Sequence, residues 1–237
     1  MSSGIYVALS GAIARQQQLE VVGHNLANVS TNGYQAQRIV FRDLLADASP
    51  DARQVDVAEV RIDSTQGAHQ QTGNELDLAI SGQGWFAVGD ADQPMLTRDG
   101  AFRLNDNHEL VTRDGLTVLG QDGPIVLSPD EGEVTIDGQG NVFTEFGGEQ
   151  RLRVLQPQDP TQLASIGNGY ATTDPGNLMP AEDASVAQGF LESSNSSPLR
   201  DMTEMITLQR YFETMQNLVQ KHHDLDSRAI SSVGGSR

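Results

Sequence analysis

Apolar residues recur at helical spacing at both ends of the chain and at strand spacing through its middle. Near the start, Ile5, Leu9, Ala12, Leu19, Val22, Leu26 and Val29 fall at three- and four-residue steps broken only at Gln16, which predicts a helix from Ser3 to about Val29. Near the end, Met205, Leu208, Phe212, Met215, Val219 and His222 step by 3, 4, 3, 4 and 3, which predicts a second helix from Pro198 to about Ser227. That narrow seam is the kind that packs against another helix. Each helix is expected to be about 40 to 45 Å long at 1.5 Å per residue. Gly11 and Gly23 inside the first helix each cost about 1 kcal/mol relative to Ala, so its stability has to come from packing.

The boundaries have local chemistry. Asn32-Gly33 offers left-handed conformers at a helix C-cap and places the first helix end between Asn28 and Asn32. Ser197 as N-cap, Pro198 at the first helical position, and Asp201 and Glu204 near the positive end of the dipole mark the start of the second. Between the helices, Gln35 to Leu45 reads as strand or short helix, and Asp47 to Arg53, polar and containing Pro50, reads as a linker. Val55 to Ile62 alternates apolar and polar residues at period two, as a strand does. Four Asp-Gly pairs, at 99, 114, 122 and 137, punctuate short apolar runs and predict hairpin turns, because both residues tolerate positive φ. Gln156 to Pro180, with Pro157, Pro160 and Pro175, is expected to be loop-rich, and the tail from Ser231 onward to be mobile.

The class that follows is α+β: terminal helices packed together as a coiled-coil-like stem, with a mainly antiparallel β middle. Its expected segments are a helical region at 1–46, a connector with the first strands at 47–75, a β domain at 76–191, a helix at 192–230 and a flexible tail at 231–237.

Charge narrows the partners. A formal net charge of −17 with a pI near 4.4, and no run of Lys or Arg, argues against nucleic acid or an anionic membrane surface as a partner. No segment approaches the roughly 20 apolar residues of a membrane span. The first residues show no cationic stretch followed by an apolar one, so no cleaved secretory signal is expected. The absence of cysteine excludes a disulfide scaffold and a Cys-ligated zinc site.

Candidate chemistry is sparse. Ser81-Gly82-Gln83-Gly84 lacks the third glycine of a dinucleotide loop and leads straight into Trp85-Phe86-Ala87-Val88, so it reads as a tight strand connection. Asp137-Gly138-Gln139-Gly140-Asn141 lacks an acid at the third position and the spaced terminal glutamate of a calcium loop, and reads as a hairpin turn. His222 and His223 point about 100° apart on a helix and do not share a tetrahedral ion unaided. No catalytic, cofactor-binding or metal site is expected. Asn25 and Asn28, three residues apart beside the first seam, carry two readings of equal standing: buried amides that set the register of helix pairing, or a solvated pair.

One extended stretch is more specific. Leu19-Glu20-Val21-Val22-Gly23-His24-Asn25-Leu26-Ala27-Asn28-Val29-Ser30-Thr31-Asn32-Gly33-Tyr34 resembles the N-terminal signature of the bacterial flagellar basal-body rod and hook proteins, built around Asn-Leu-Ala-Asn and Thr-x-Gly-aromatic. Three further blocks resemble the same family. They are Leu76-Asp77-Leu78-Ala79-Ile80-Ser81-Gly82-Gln83-Gly84-Trp85-Phe86; Leu96-Thr97-Arg98-Asp99-Gly100-Ala101-Phe102 through Leu119-Gly120; and Gly189-Phe190-Leu191-Glu192-Ser193-Ser194-Asn195 through Gln209-Arg210-Tyr211-Phe212-Glu213. Together they span most of the chain. His24 stands where Asn is common in the family, Tyr34 and Trp85 where Phe is typical, and Ser196 where Val is frequent.

The resemblance implies a structural subunit without catalytic activity. It implies terminal helices that pack together and against neighbouring subunits as the inner layer of a helical tube, with the β domain outside. Its partners would be copies of itself and other rod proteins, and its location the periplasmic rod, reached by the flagellar type III export apparatus. The length fits the rod members with an intermediate β middle, the proximal-rod type ahead of the distal-rod type. The expected assembly interface is Ile5, Leu9, Leu19, Val22, Asn25, Leu26, Asn28, Met205, Leu208, Phe212, Met215 and Val219.

Overall fold

The computed structural model describes residues 2–45, 53–128, 132–145, 148–159, 163–166, 169–172 and 175–234, and side chains among these outside 2–10, 41–45, 53–58, 169–172, 175, 218–219 and 222–234. Most of the expected linker at Asp47 to Arg53 and the last three residues therefore lie outside the described chain. Helix α1 is Ser2–Ala27 and helix α2 is Pro198–Gly234. Seventeen strands lie between them among the described residues. The first half comprises β1 (Gln37–Leu45), β2 (Arg53–Ile62), β3 (His69–Gln71), β4 (Leu78–Ser81), β5 (Trp85–Gly89), β6 (Pro94–Thr97), β7 (Arg103–Leu104) and β8 (Leu110–Val111). The second comprises β9 (Val134–Ile136), β10 (Asn141–Thr144), β11 (Gln150–Arg151), β12 (Val154–Pro157), β13 (Leu163–Ile166), β14 (Gly169–Thr172), β15 (Leu178–Pro180), β16 (Ser185–Gln188) and β17 (Phe190–Glu192).

The chain divides into two compact units. A helical unit holds residues 1–27, 37–61 and 197–237; a β unit holds residues 28–36 and 62–196. In the helical unit α1 packs against α2 and against β1, which pairs with β2. The stretch after Gln35 is thus a strand rather than a helix. Asp201 N donates to Ser197 O at 2.9 Å, the first turn expected of a helix opening at Pro198. α2 continues to Gly234, beyond the expected stop near Ser227, and takes in the first four residues of the expected mobile tail.

The β unit is built around β5. Its run Trp85-Phe86-Ala87-Val88 is apolar without alternation because both faces are covered. Phe86 and Val88 enter one core cluster with Leu78, Ile80, Phe102, Leu110, Val118, Ile125 and Leu127, and Trp85 and Ala87 enter another with Leu96, Leu119, Leu155 and Leu163. Phe86 meets Phe102 edge to face, with ring centroids 5.1 Å apart. The main sheet runs β13-β14-β6-β5-β12-β15, and every strand pair with a described register is antiparallel. Gln156 to Pro180 is therefore not chiefly loop: four strands of this sheet use it. Pro180 is admitted because β15 is an edge, where a missing N–H breaks no ladder.

Three of the four Asp-Gly pairs lie at turns. Gly115 N donates to Thr112 O, Gly120 N to Gly123 O, and Gly140 N to Asp137 O, closing the reversals around pairs 114, 122 and 137. Asp99-Gly100 is the exception and makes no hairpin. Gly100 is required there for another reason: a Cβ would run into the carbonyl of Leu78, whose N–H bonds to Gly100 O at 3.0 Å.

Candidate assembly interface

In the helical unit, α1 and α2 pack against each other and run antiparallel. Val22 and Leu208 are buried, as is Ala14, while Leu19, Leu26, Met205, Phe212 and Met215 are half-buried. A Cβ on Gly23 would lie 3.8 Å from Met205 Cε, an ordinary van der Waals contact. Gln18 Nε2 donates to Glu204 Oε1 at 2.7 Å, and the Arg15 guanidinium lies 5.6 Å from the centre of the Tyr211 ring. The side chains of Ile5, Leu9 and Val219, and of His222 and His223, are outside the described ones.

Asn25 and Asn28 go to different units. Asn25 is buried, and its amide makes a reciprocal pair with the backbone of Gln37: Gln37 N donates to Oδ1 at 2.8 Å and Nδ2 donates to Gln37 O at 2.9 Å. That pairing fastens α1 to the start of β1. Asn28 opens the turn after α1, where Thr31 N donates to its carbonyl and Thr31 Oγ1 to its Oδ1, both at 3.1 Å.

The helical unit also presents large apolar side chains that are exposed among the described residues. On α2, Leu199 is 79% exposed, Met202 50% and Ile206 52%, and on α1 Ile13 is 51% exposed. Leu199, Met202 and Ile206 are spaced three and four apart and project from the side of α2 opposite Leu208, at 100° per residue. The sequence contained this second stripe, but its three positions precede most of the longer seam and were hidden by it. The charge in this unit nearly cancels: it holds 10 Lys and Arg against 11 Asp and Glu, whereas the β unit holds 5 Arg against 21 Asp and Glu.

Within the β unit, the family-like blocks converge. Arg98 Nη1 and Glu192 Oε2 form an ion pair at 2.9 Å with side chains only 1% and 2% exposed. Arg98 also donates to Gly82 O at 2.7 Å and Ile80 O at 3.3 Å, and lies 5.2 Å from the centre of the Trp85 ring. Glu192 Oε1 accepts from Gly67 N at 2.9 Å, so both carboxylate oxygens are bound. Gly33 N donates to Glu192 O at 2.8 Å, and Gly33, at φ 66°, leaves no room for a Cβ beside the Arg98-Asp99 peptide. Nothing local in sequence announces this knot, since Arg98 and Glu192 are separated by most of the β unit.

Two carboxyls are shifted. Burial pushes Asp99 above the usual aspartate value, with Asp114 and Asp77 adding to the rise and the Ala101 N–H and Arg113 opposing it. The Asn141 N–H, with the Asn141 amide and Gln139 N–H, holds Asp137 below it. A groove in the β unit is lined by Gln139, Arg151, Arg153, Leu155, Leu178 and Glu182 among others; its described lining has no hydroxyl, imidazole, amine or thiol to act as a nucleophile. Among the described residues no cluster of His, Asp and Glu is placed to hold a metal ion, and no helix is long and apolar enough to cross a membrane.

Residues 5–35 match the family described as flagella basal body rod protein, residues 79–144 the flagellar hook protein FlgE/F/G D1 domain, and residues 187–232 the flagellar basal body rod FlgEFG protein C-terminal. The chain is 34% identical over 248 residues to the flagellar basal-body rod protein FlgF of Rhizobium meliloti (strain 1021), covering 100% of both chains. It is 32% identical to FlgF of Caulobacter vibrioides (strain ATCC 19089 / CIP 103742 / CB 15), covering 99% of each. It is also 32% identical to the flagellar basal-body rod protein FlgG of Agrobacterium fabrum (strain C58 / ATCC 33970), over 90% of this chain and 92% of that one. With matches at both helical ends and in the β region, and full-length likeness above 30%, the chain belongs to the flagellar basal-body rod protein family.

Proposed function

We propose that this protein is a structural subunit of the flagellar basal-body rod, of the FlgF type in the proximal rod, and that it polymerises through its helical unit into the periplasmic shaft that transmits torque. The observation that carries this is the helical unit's surface. A nearly neutral pair of helices holds Leu199, Met202, Ile206 and Ile13 in solvent although its own seam is already filled. Apolar side chains in a continuous stripe on a helix gain free energy by meeting another copy or another rod protein, and the near cancellation of charge removes the repulsion that would oppose close packing. The seam of Leu19, Val22 and Leu26 with Met205, Leu208, Phe212 and Met215 holds the stem of each subunit in a coiled-coil-like pairing. The outer stripe makes the contact between subunits. Export through the flagellar type III apparatus accompanies this reading, as does the absence of enzymatic activity.

The double substitution Leu199→Glu with Ile206→Glu tests it. Placed as the sole copy in cells, it is expected to leave the free subunit folded by circular dichroism, remove it from purified basal bodies and abolish swimming. Normal incorporation and swimming would contradict the proposal. The distal-rod alternative is supported by the likeness to FlgG, and position along isolated rods of a labelled copy separates the two. Label near the hook favours the distal reading.

A further inference from the structure

The chain passes between its two units at four places: 27/28, 36/37, 61/62 and 196/197. Within the β unit, the side chain of Asn195 reaches residues beside two of them. Its Oδ1 accepts from Ala36 N at 2.7 Å, and its Nδ2 donates to Asp63 O at 2.8 Å, to Thr65 O at 2.8 Å and to Thr65 Oγ1 at 3.3 Å. Its backbone N donates to Tyr34 O at 3.3 Å, and Asp63 N donates to Ala36 O at 2.7 Å. Asn195 itself stands two residues before the fourth crossing. An amide is the group suited to this place, because one acceptor and two donors on a short stem satisfy a backbone N–H and two carbonyls at once. A carboxylate offers no donor, and a hydroxyl offers one.

We infer that Asn195 is a positioning residue for assembly: it gathers the crossings at 36/37, 61/62 and 196/197 into one fixed connection, so that the segments leading to β1, from β2 and to α2 leave the β unit together. This rests on the rod-subunit reading. In a shaft under torque, exits from the β unit that move independently let each subunit twist before it transmits. The knot at Arg98 and Glu192 ties into the same segment, since Gly33 and Gly67 bond to Glu192 and Asn195 follows three residues later.

The test uses the full chain, as free subunit and in cells, with Asn195→Ala and Asn195→Asp. Losing a hydrogen bond of this kind raises local amide exchange about tenfold. In Asn195→Ala, exchange at Ala36 and Asp63 is expected to rise by about that factor. The core amides of Leu110 and Val118, which bond to Ile125 O and Leu110 O, are expected to stay unchanged. Asn195→Asp keeps the acceptor for Ala36 N but turns a carboxylate toward the carbonyls of Asp63 and Thr65, so Ala36 is expected to stay protected while Asp63 opens. In both variants incorporation into purified rods and swimming are expected to fall several-fold with the unfolding midpoint of the β unit retained, a combination that a merely stabilising asparagine does not produce. Unchanged exchange at Ala36 and Asp63 overturns the inference, as does raised exchange with wild-type incorporation and swimming, and the latter leaves the rod reading intact. Absence of the unsubstituted chain from purified rods overturns the rod reading itself, while the exchange data still report on the crossings.

Discussion

The helical unit and the β unit solve opposite problems. The β unit closes on itself: β5 is covered on both faces, two apolar clusters fill the interior, and its most buried charges, Arg98 and Glu192, neutralise each other. It also carries nearly all of the chain's net negative charge. The helical unit closes incompletely, with three glycines in α1 and large apolar side chains left in water. The difference teaches that the β unit is stable by its own contacts, whereas on the proposed reading the helical unit completes its burial against a neighbour.

The ion pairs of the two units offer the sharpest break of that comparison. Arg98→Met leaves Glu192 buried without its cation and is expected to cost about 3–5 kcal/mol in urea unfolding followed by Trp85 fluorescence. In the helical unit, Arg61 meets Glu59 at 3.1 Å with side chains 42% and 35% exposed, so Arg61→Ala is expected to cost less than about 1 kcal/mol. Equal losses would erase the distinction.

A smaller effect runs the other way. Gly23→Ala puts a methyl at ordinary contact distance from Met205 Cε and removes the entropy of a helical glycine, so it is expected to stabilise α1 by about 0.5–1 kcal/mol. Thermal loss of far-ultraviolet helicity in the free subunit measures it. A destabilised α1 would show that the seam is more tightly filled than described.

The smallest effect belongs to Asp99. Because burial raises its pKa, the folded chain holds that proton more tightly than the unfolded chain, and stability falls as pH rises from the ordinary aspartate value through the raised one. Asp99→Asn removes the buried charge and keeps an acceptor for Ala101 N, which bonds to Oδ1 at 3.1 Å. The variant is expected to exceed the parent in stability at neutral pH, with the gain vanishing below the ordinary aspartate pKa. Urea midpoints across pH check this, and a gain that persists in acid would contradict it.

Much of this division was legible in the sequence. The two terminal helices, the Ser197-Pro198 start and the turn-forming Asp-Gly pairs are local signals, in which spacing or backbone preference acts within a few residues, and they held. Asp99-Gly100 misled because glycine serves close approach as well as turning, and only the neighbouring Leu78 carbonyl reveals which. The strands between Gln156 and Pro180 were hidden by the prolines of that stretch, of which Pro157 and Pro180 stand within strands, each as the last residue. Of the interface residues, Val22 and Leu208 are at the centre of the described seam, while the amide of Asn25 is engaged by Gln37 within the chain. The Arg98–Glu192 pair and the reach of Asn195 to Ala36 and Asp63 were illegible, because they join segments that no local pattern relates.

Hydrogen exchange compared between the free subunit and the assembled rod tests the central claim most directly. The account predicts that amides of Leu19 to Ala27 and Met205 to Met215 exchange far faster than the β core at Leu110, Val118 and Leu152 in the free subunit, and become as slow as that core in the rod. Helices as protected as the β core in the free subunit, or still open in the rod, would contradict it.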